Sequence, residues 1–193
     1  ELIEKFSELQ AILIPIGGGG LISGIAVAVK SINPKVKIYG IQTEKFPSMY
    51  NAFKSKSLRI SGDTLADGIA VKVPGQITQP IISNFVDEIL LVNEFDIERA
   101  ISNLFENERI VSEGAGAVGV AAILKNPSLF KKKNIASIVC GGNIDARVFA
   151  SILNRKLSMD GRMTKVRIDI VDEPGMLARI SNLIGNNGGN IIE

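Results

Sequence analysis

Ile12-Leu13-Ile14-Pro15-Ile16-Gly17-Gly18-Gly19-Gly20-Leu21-Ile22-Ser23-Gly24 is the stretch that decides how this chain is read. An isoleucine-rich apolar run stops at four consecutive glycines and resumes as Leu-Ile-Ser-Gly-Ile-Ala-Val-Ala-Val. The pattern predicts a buried strand, a loop free of side chains and the N-terminus of a buried helix. Glycine admits positive φ and lets another group approach the backbone closely. The first N–H groups of a helix lack intrahelical partners and lie at the positive end of its dipole. Together these features make an anion site, most often for phosphate; a flexible strand–helix connection is the plainer alternative. The dinucleotide spacing G-x-G-x-x-G begins at Gly17 and Gly19 but meets Ile22 at its third position, and no Gly-Lys-Ser/Thr follows. A phosphate held by backbone amides and a helix dipole is what remains.

Outward from this loop, strands and helices alternate. Leu2, Ile3, Phe6 and Leu9 form a helical stripe before the first strand at 11–16, and the helix from 21 to about 31 ends near Asn33-Pro34. Val36–Gln42 is a second strand, so the spacing is that of a parallel βαβ unit, which binds ligands at strand C-termini. A short helix start at Pro47–Phe53, a helix at Thr78–Phe85, a strand at Glu88–Val92 and a helix from Asn93 or Glu94 to Asn107 continue the series. Gly114–Leu124 is a helix so dense in Ala, Gly and Val that it packs centrally; Ile135–Cys140 reads as another buried strand and Ala146–Leu157 as a helix. The fold class is α/β.

Composition narrows the chemistry. The 193 residues are 46% hydrophobic and 22% charged, enough for a packed core. The 22 basic and 20 acidic residues leave a net charge of +2; the basic ones are dispersed apart from Lys131-Lys132-Lys133, so no nucleic-acid partner is implied. A single cysteine rules out an internal disulfide, and the absence of histidine removes Ser-His-Asp and Cys-His catalysis and the usual zinc sites. No apolar run has the length of a membrane span and no targeting segment is evident, so a cytoplasmic protein is expected. The first residue, Glu1, is not Met, and the sequence is expected to begin inside a longer protein.

Three further features carry potential chemistry. Cys140-Gly141-Gly142-Asn143 closes a strand expected to be buried, at the edge where α/β proteins bind ligands, although a lone cysteine often acts as a small hydrophobe. Glu113 precedes Gly114-Ala115-Gly116 at a helix start, where a carboxylate either complements the dipole or faces a site. Asp67-Gly68 is an ordinary turn or part of that site. After Met159-Asp160-Gly161-Arg162 the pattern changes. Met163–Val171 alternates polar and apolar residues as a half-exposed strand does, Asp172-Glu173-Pro174-Gly175 is a turn, Met176–Gly185 an amphipathic helix, and Asn190-Ile191-Ile192 the beginning of a strand. Two domains are expected, 1–158 and a truncated 163–193.

Taken in order, Pro15-Ile16-Gly17-Gly18-Gly19-Gly20-Leu21-Ile22-Ser23-Gly24, Leu65-Ala66-Asp67-Gly68-Ile69, Glu113-Gly114-Ala115-Gly116-Ala117 and Cys140-Gly141-Gly142-Asn143-Ile144-Asp145 resemble the serine/threonine dehydratase family, pyridoxal-phosphate enzymes of fold type II. The tail from Val166 to Ile192 resembles the start of an ACT regulatory domain, a combination similar to threonine ammonia-lyases. The resemblance implies part of a three-layer parallel-sheet fold followed by the start of an α+β, ferredoxin-like domain. It implies that Gly17, Gly18, Gly19, Gly20 and the Leu21 amide hold the cofactor phosphate, that Gly68 lies against the ring, and that Cys140 stands where the family usually has Ser beside the pyridine nitrogen. A neutral group there leaves the ring a weaker electron sink, which suits β-elimination. Glu113 is the candidate catalytic residue, and Asp172, Gly175 and Asn190 are the candidate effector-binding residues. A turn with no ligand is the plainer reading of the Asp-Glu-Pro-Gly segment. Thr43, Glu44, Pro47 and Met49 form no clear acidic pair where relatives can hold a cation, so no metal is assigned.

The implied activity is conversion of threonine to 2-oxobutanoate and ammonia by a homo-oligomer. A serine dehydratase or serine racemase is the alternative on the same scaffold, and an amino-acid-sensing module is the non-enzymatic one. The family's Schiff-base lysine lies in an upstream Ser-Phe-Lys motif that this sequence does not contain. A polypeptide of residues 1–193 alone is therefore expected to release no ammonia from threonine; steady release in a coupled ammonia assay would contradict this.

Overall fold

A computed structural model describes residues 1–192. Glu193, the last residue of the expected 163–193 segment, lies outside the described residues. In chain order the elements are α1 (Leu2–Lys5), β1 (Ala11–Pro15), α2 (Gly20–Ile32), β2 (Lys37–Thr43), α3 (Ser48–Lys54), a 3-10 turn at Asp67–Ile69, α4 (Thr78–Phe85), β3 (Glu88–Val92), α5 (Glu94–Glu108), α6 (Gly114–Lys125), α7 (Pro127–Phe130), β4 (Ile135–Ser137), α8 (Ala146–Met159) and α9 (Met176–Asn186). The chain divides into a unit of Glu1–Leu157 and a second from Ser158 onward.

The first unit is built on a parallel sheet of order β3-β2-β1-β4. β1 lies inside the sheet and is buried along its whole length. Its alternation therefore feeds two cores. Ile12 and Ile14 join Ile22, Ala26 and Val29 of α2, Met49 of α3 and Ile82 of α4 on one face. Leu13 joins Ile97 and Ile101 of α5, Ala117, Val118 and Ala121 of α6, Phe130 of α7 and Ile152 of α8 on the other. Each of these large side chains contributes about 1.5–3 kcal/mol by leaving water. α6 is central because its small residues admit close approach: α5 packs along it, and residues from Gly114 to Gly119 are all buried. α5 starts at a capping box, in which Asp96 N–H donates to Asn93 Oδ1 (2.9 Å) and Asn93 N–H donates to Asp96 Oδ2 (3.0 Å).

Three expected strands are corrected. The strand expected over Ile135–Cys140 is confined to Ile135–Ser137, which pairs with Ala11–Leu13; Ile138 N–H still reaches Leu13 O, and the chain then leaves the sheet. β4 is an edge strand whose residues are only half-buried, so little apolar contact extends it. In the second unit the strand expected over Met163–Val171 is not formed, nor is one at Asn190–Ile192. Alternation makes a strand only where a neighbour completes its hydrogen bonds, and Val166, Ile168 and Ile170 remain exposed. α9 does form, capped by Gly175 at φ +87°.

One ionic cluster joins the sheet to α2. Asp87 accepts from Lys30 Nζ (2.7 Å), Lys37 Nζ (2.7 Å) and the Ile38 N–H (2.9 Å). Burial disfavours the Asp87 carboxylate, but the hydrogen bonds from Lys30, Lys37 and Ile38 outweigh it and hold the carboxyl below its ordinary value. A depressed folded-state value contributes stability above the unfolded aspartate value of about 3.9, and that stability is lost as pH falls through the folded-state value. Asp87→Asn is expected to lower the urea midpoint near neutral pH. The gap from the unmodified chain should close in acid, and one that persists at about pH 2 would contradict the assignment.

Candidate functional site

The glycine loop leaves the C-terminal end of β1. Ile16 N–H donates to Ile41 O (2.8 Å) and keeps the chain beside β2, after which Gly17–Gly19 turn it into α2. Gly19 has φ +94°, a conformation that side chains disfavour, and α2 starts at Gly20 with no side chain capping it. The leading N–H groups of α2 thus have no intrahelical or capping partner. A Cβ at Gly18 or Gly20 would meet nothing within 4 Å, so the loop opens outward there. At Gly17 a Cβ would lie 3.3 Å from Gly68 O and from the Ile69 Cα, so the loop is closed on that side. Open amides on one side, a helix dipole behind them and no acidic side chain in the first turn fit a phosphate group.

A second wall comes from the turn at Asp67–Ile69 and the start of α6. Glu94, the first residue of α5, accepts from Thr64 Oγ1 (2.7 Å) and the Leu65 N–H (2.7 Å) and so anchors the approach to that turn. A Cβ at Gly68 would stand 3.3 Å from Ala115 Cβ and 3.6 Å from Glu113 Oε1. Glu113 is the residue before α6, and it also faces the segment after β4. Its N–H donates to Gly141 O (3.1 Å), and its Oε2 accepts the Asn143 N–H (3.2 Å). Any Cβ at Gly141 would overlap the Glu113 carboxylate. Fully buried Ser112 donates to Glu113 O (2.9 Å), with Gly141 O 3.3 Å away. The structure thus gathers Gly17, Gly68, Glu113 and Gly141 from four separate stretches of chain.

Cys140 departs from its expected setting: it is exposed and lies past the end of β4 rather than in a buried strand. Partial burial pushes its thiol up, and the nearby Glu113 carboxylate adds to the shift. The group is consequently a neutral thiol at neutral pH, a weak hydrogen-bonding partner rather than a nucleophile. Asp172, Gly175 and Asn190 are exposed in the second unit, with Gly175 serving as the N-cap of α9. Among the described residues no group of three or more His, Cys, Asp or Glu is placed to hold a metal ion. No helix among them is long and apolar enough to cross a membrane. A cavity of about 710 Å³ lies elsewhere, between Leu2–Leu9 and Lys133–Ser137.

Sequence reasoning missed Glu94, Ser112 and Thr78. Thr78 opens α4, and its hydroxyl donates to Gly18 O at 2.6 Å. The only local sign was Pro74-Gly75 shortly before a helix start.

Residues 1–141 match the family described as "Pyridoxal-phosphate dependent enzyme". An L-threonine ammonia-lyase of Thermotoga maritima is 42% identical over 100% of this chain and 48% of its own length. An L-threonine dehydratase of Staphylococcus aureus, catabolic TdcB, is 38% identical over 82% of this chain and 47% of its own. The chain spans about half the length of these relatives. Among solved structures, threonine deaminase isoform 2 from Solanum lycopersicum superposes with a TM-score of 0.72 at 31% identity, covering 79% of this chain and 43% of that one. Maize serine racemase superposes with a TM-score of 0.69 at 31% identity, covering 81% and 50%.

Gly141→Ala is expected to push the Glu113 carboxylate aside and remove the acceptor of the Asn143 amide. Hydrogen exchange at Asn143 should speed up severalfold while β1 amides stay protected; unchanged exchange would show that Glu113 does not hold this segment.

Proposed function

The chain belongs to the family of pyridoxal-phosphate dependent enzymes, and on that footing we propose that the protein it forms part of is a threonine ammonia-lyase. Its reaction would convert L-threonine to 2-oxobutanoate and ammonia. Similarity along the full chain to L-threonine ammonia-lyases carries this reading.

When bound, pyridoxal phosphate supplies an electron sink for the α-carbon of an amino acid. In the proposal the open amides around Gly18, Gly19, Gly20 and Leu21 bind its phosphate, supported by the positive end of α2. Gly68 leaves room for the ring beside Ala115. Cys140 supplies a neutral thiol toward the ring nitrogen, so that no carboxylate fixes a proton there. Glu113 holds the segment carrying Cys140 through the Asn143 N–H and presents its charge beside the Gly68 turn. By the resemblance, the Schiff-base lysine comes from a segment preceding Glu1. The same proposal makes the protein a cytoplasmic homo-oligomer. The tail from Met163 onward is assigned to an ACT-like domain, with Asp172, Gly175 and Asn190 toward an amino-acid effector.

A serine racemase is the second reading, favoured by the superposition on the maize enzyme. Turnover of L-threonine, L-serine and D-serine by the full-length protein separates the two. Threonine is expected to have the highest kcat/KM, with one ammonia and one 2-oxo acid per turnover. Inversion of serine without ammonia would overturn the reading.

A further inference from the structure

The glycine loop does not stand alone; α4 presses on it from outside the strand–loop–helix unit. A Cβ at Gly19 would lie 2.6 Å from Thr78 Oγ1, 2.8 Å from Thr78 Cβ and 2.9 Å from Ile82 Cδ1. A Cβ at Gly75 would lie 2.5 Å from Thr78 Oγ1 and 2.6 Å from Gly18 O. Two glycines 56 positions apart thus make room for one hydroxyl. That hydroxyl donates to Gly18 O at 2.6 Å and sits 3.2 Å from Gly75 O. Below it, Ile82 is fully buried in the core shared by β1 and α2, which fixes where α4 can stand.

The consequence follows from peptide geometry. In a planar trans peptide the C=O and the next N–H point in opposite directions. Holding the Gly18 carbonyl on Thr78 therefore aims the Gly19 N–H away from α4. Glycine neighbours leave this peptide otherwise free to flip, since even a Cβ at Gly18 would meet nothing within 4 Å and Gly19 already occupies a left-handed conformation. We propose that Thr78 is a positioning residue for the cofactor phosphate: its hydroxyl locks the Gly18–Gly19 peptide in the orientation that turns an N–H toward the phosphate. The proposal rests on the reading of the glycine loop as the pyridoxal-phosphate cradle and not on the choice of threonine as substrate.

The test compares the full-length enzyme with its Thr78→Val and Thr78→Ser variants, each stripped of cofactor and retitrated. Thr78→Val keeps the branched shape and loses the donor, whereas Thr78→Ser keeps the donor. Pyridoxal phosphate and inorganic phosphate are both expected to bind Thr78→Val more weakly, by between about twofold and tenfold, the range of one hydrogen bond. Pyridoxal, which lacks the phosphate, should bind all three proteins equally, and Thr78→Ser should match the unmodified enzyme with both phosphate ligands. A general loosening of the fold would weaken pyridoxal as well, and that result would overturn the proposal. Equal phosphate affinities in Thr78→Val and the unmodified enzyme would overturn it too, while leaving the cofactor assignment standing. Failure of the unmodified enzyme to bind pyridoxal phosphate would overturn the cradle and the proposal together.

Discussion

Unpaired backbone amides at the start of α2 are the constraint around which the first unit is arranged. Such groups must meet water, a side-chain cap or a ligand. This helix has no capping side chain, because its N-cap is Gly19 and its first turn is Gly20, Leu21 and Ile22. The loop is placed by β1, a strand buried on both faces inside a parallel sheet. Parallel order puts the strand ends and helix starts on one edge, and the same edge receives Gly68, Glu113 and Gly141.

Close packing there depends on what is missing as much as on what is present. Gly17 backs onto Gly68, Gly141 onto the Glu113 carboxylate, and Gly19 and Gly75 onto one threonine hydroxyl. Glu113 and Glu94 act as tethers: each carboxylate accepts from backbone of a loop distant in sequence. The result is an edge with open backbone amides whose walls are held by hydrogen bonds rather than by bulky side chains. Walls already held by such bonds have less freedom to lose when a ligand binds, which limits the ordering cost of binding.

Much of this was legible in the sequence. The four glycines after an isoleucine run, the proline after the first helix and the small-residue helix after Glu113 each have a local physical meaning, and α4 and β3 fall where the pattern placed them. The departures have local reasons too. β4 stops at Ser137 because an edge strand with half-buried residues has little to extend it. Cys140 is exposed rather than buried for the same reason. Met163–Val171 has the alternation of a strand but no strand beside it to complete the hydrogen bonds.

What the sequence by itself determined is periodicity and turn chemistry: which segments are buried strands, which are helices, and that an unencumbered loop joins β1 to α2. Those properties depend on neighbours a few residues away. What only the tertiary structure decided is which distant groups meet. Gly17 reaches Gly68, Glu113 reaches Asn143, and Thr78 reaches Gly18 across 60 positions. These contacts follow from the order β3-β2-β1-β4 and from the packing of α4 and α6 on opposite faces of the sheet. Sheet order is a global property of the chain, and no local pattern around Thr78 or Glu94 encodes it.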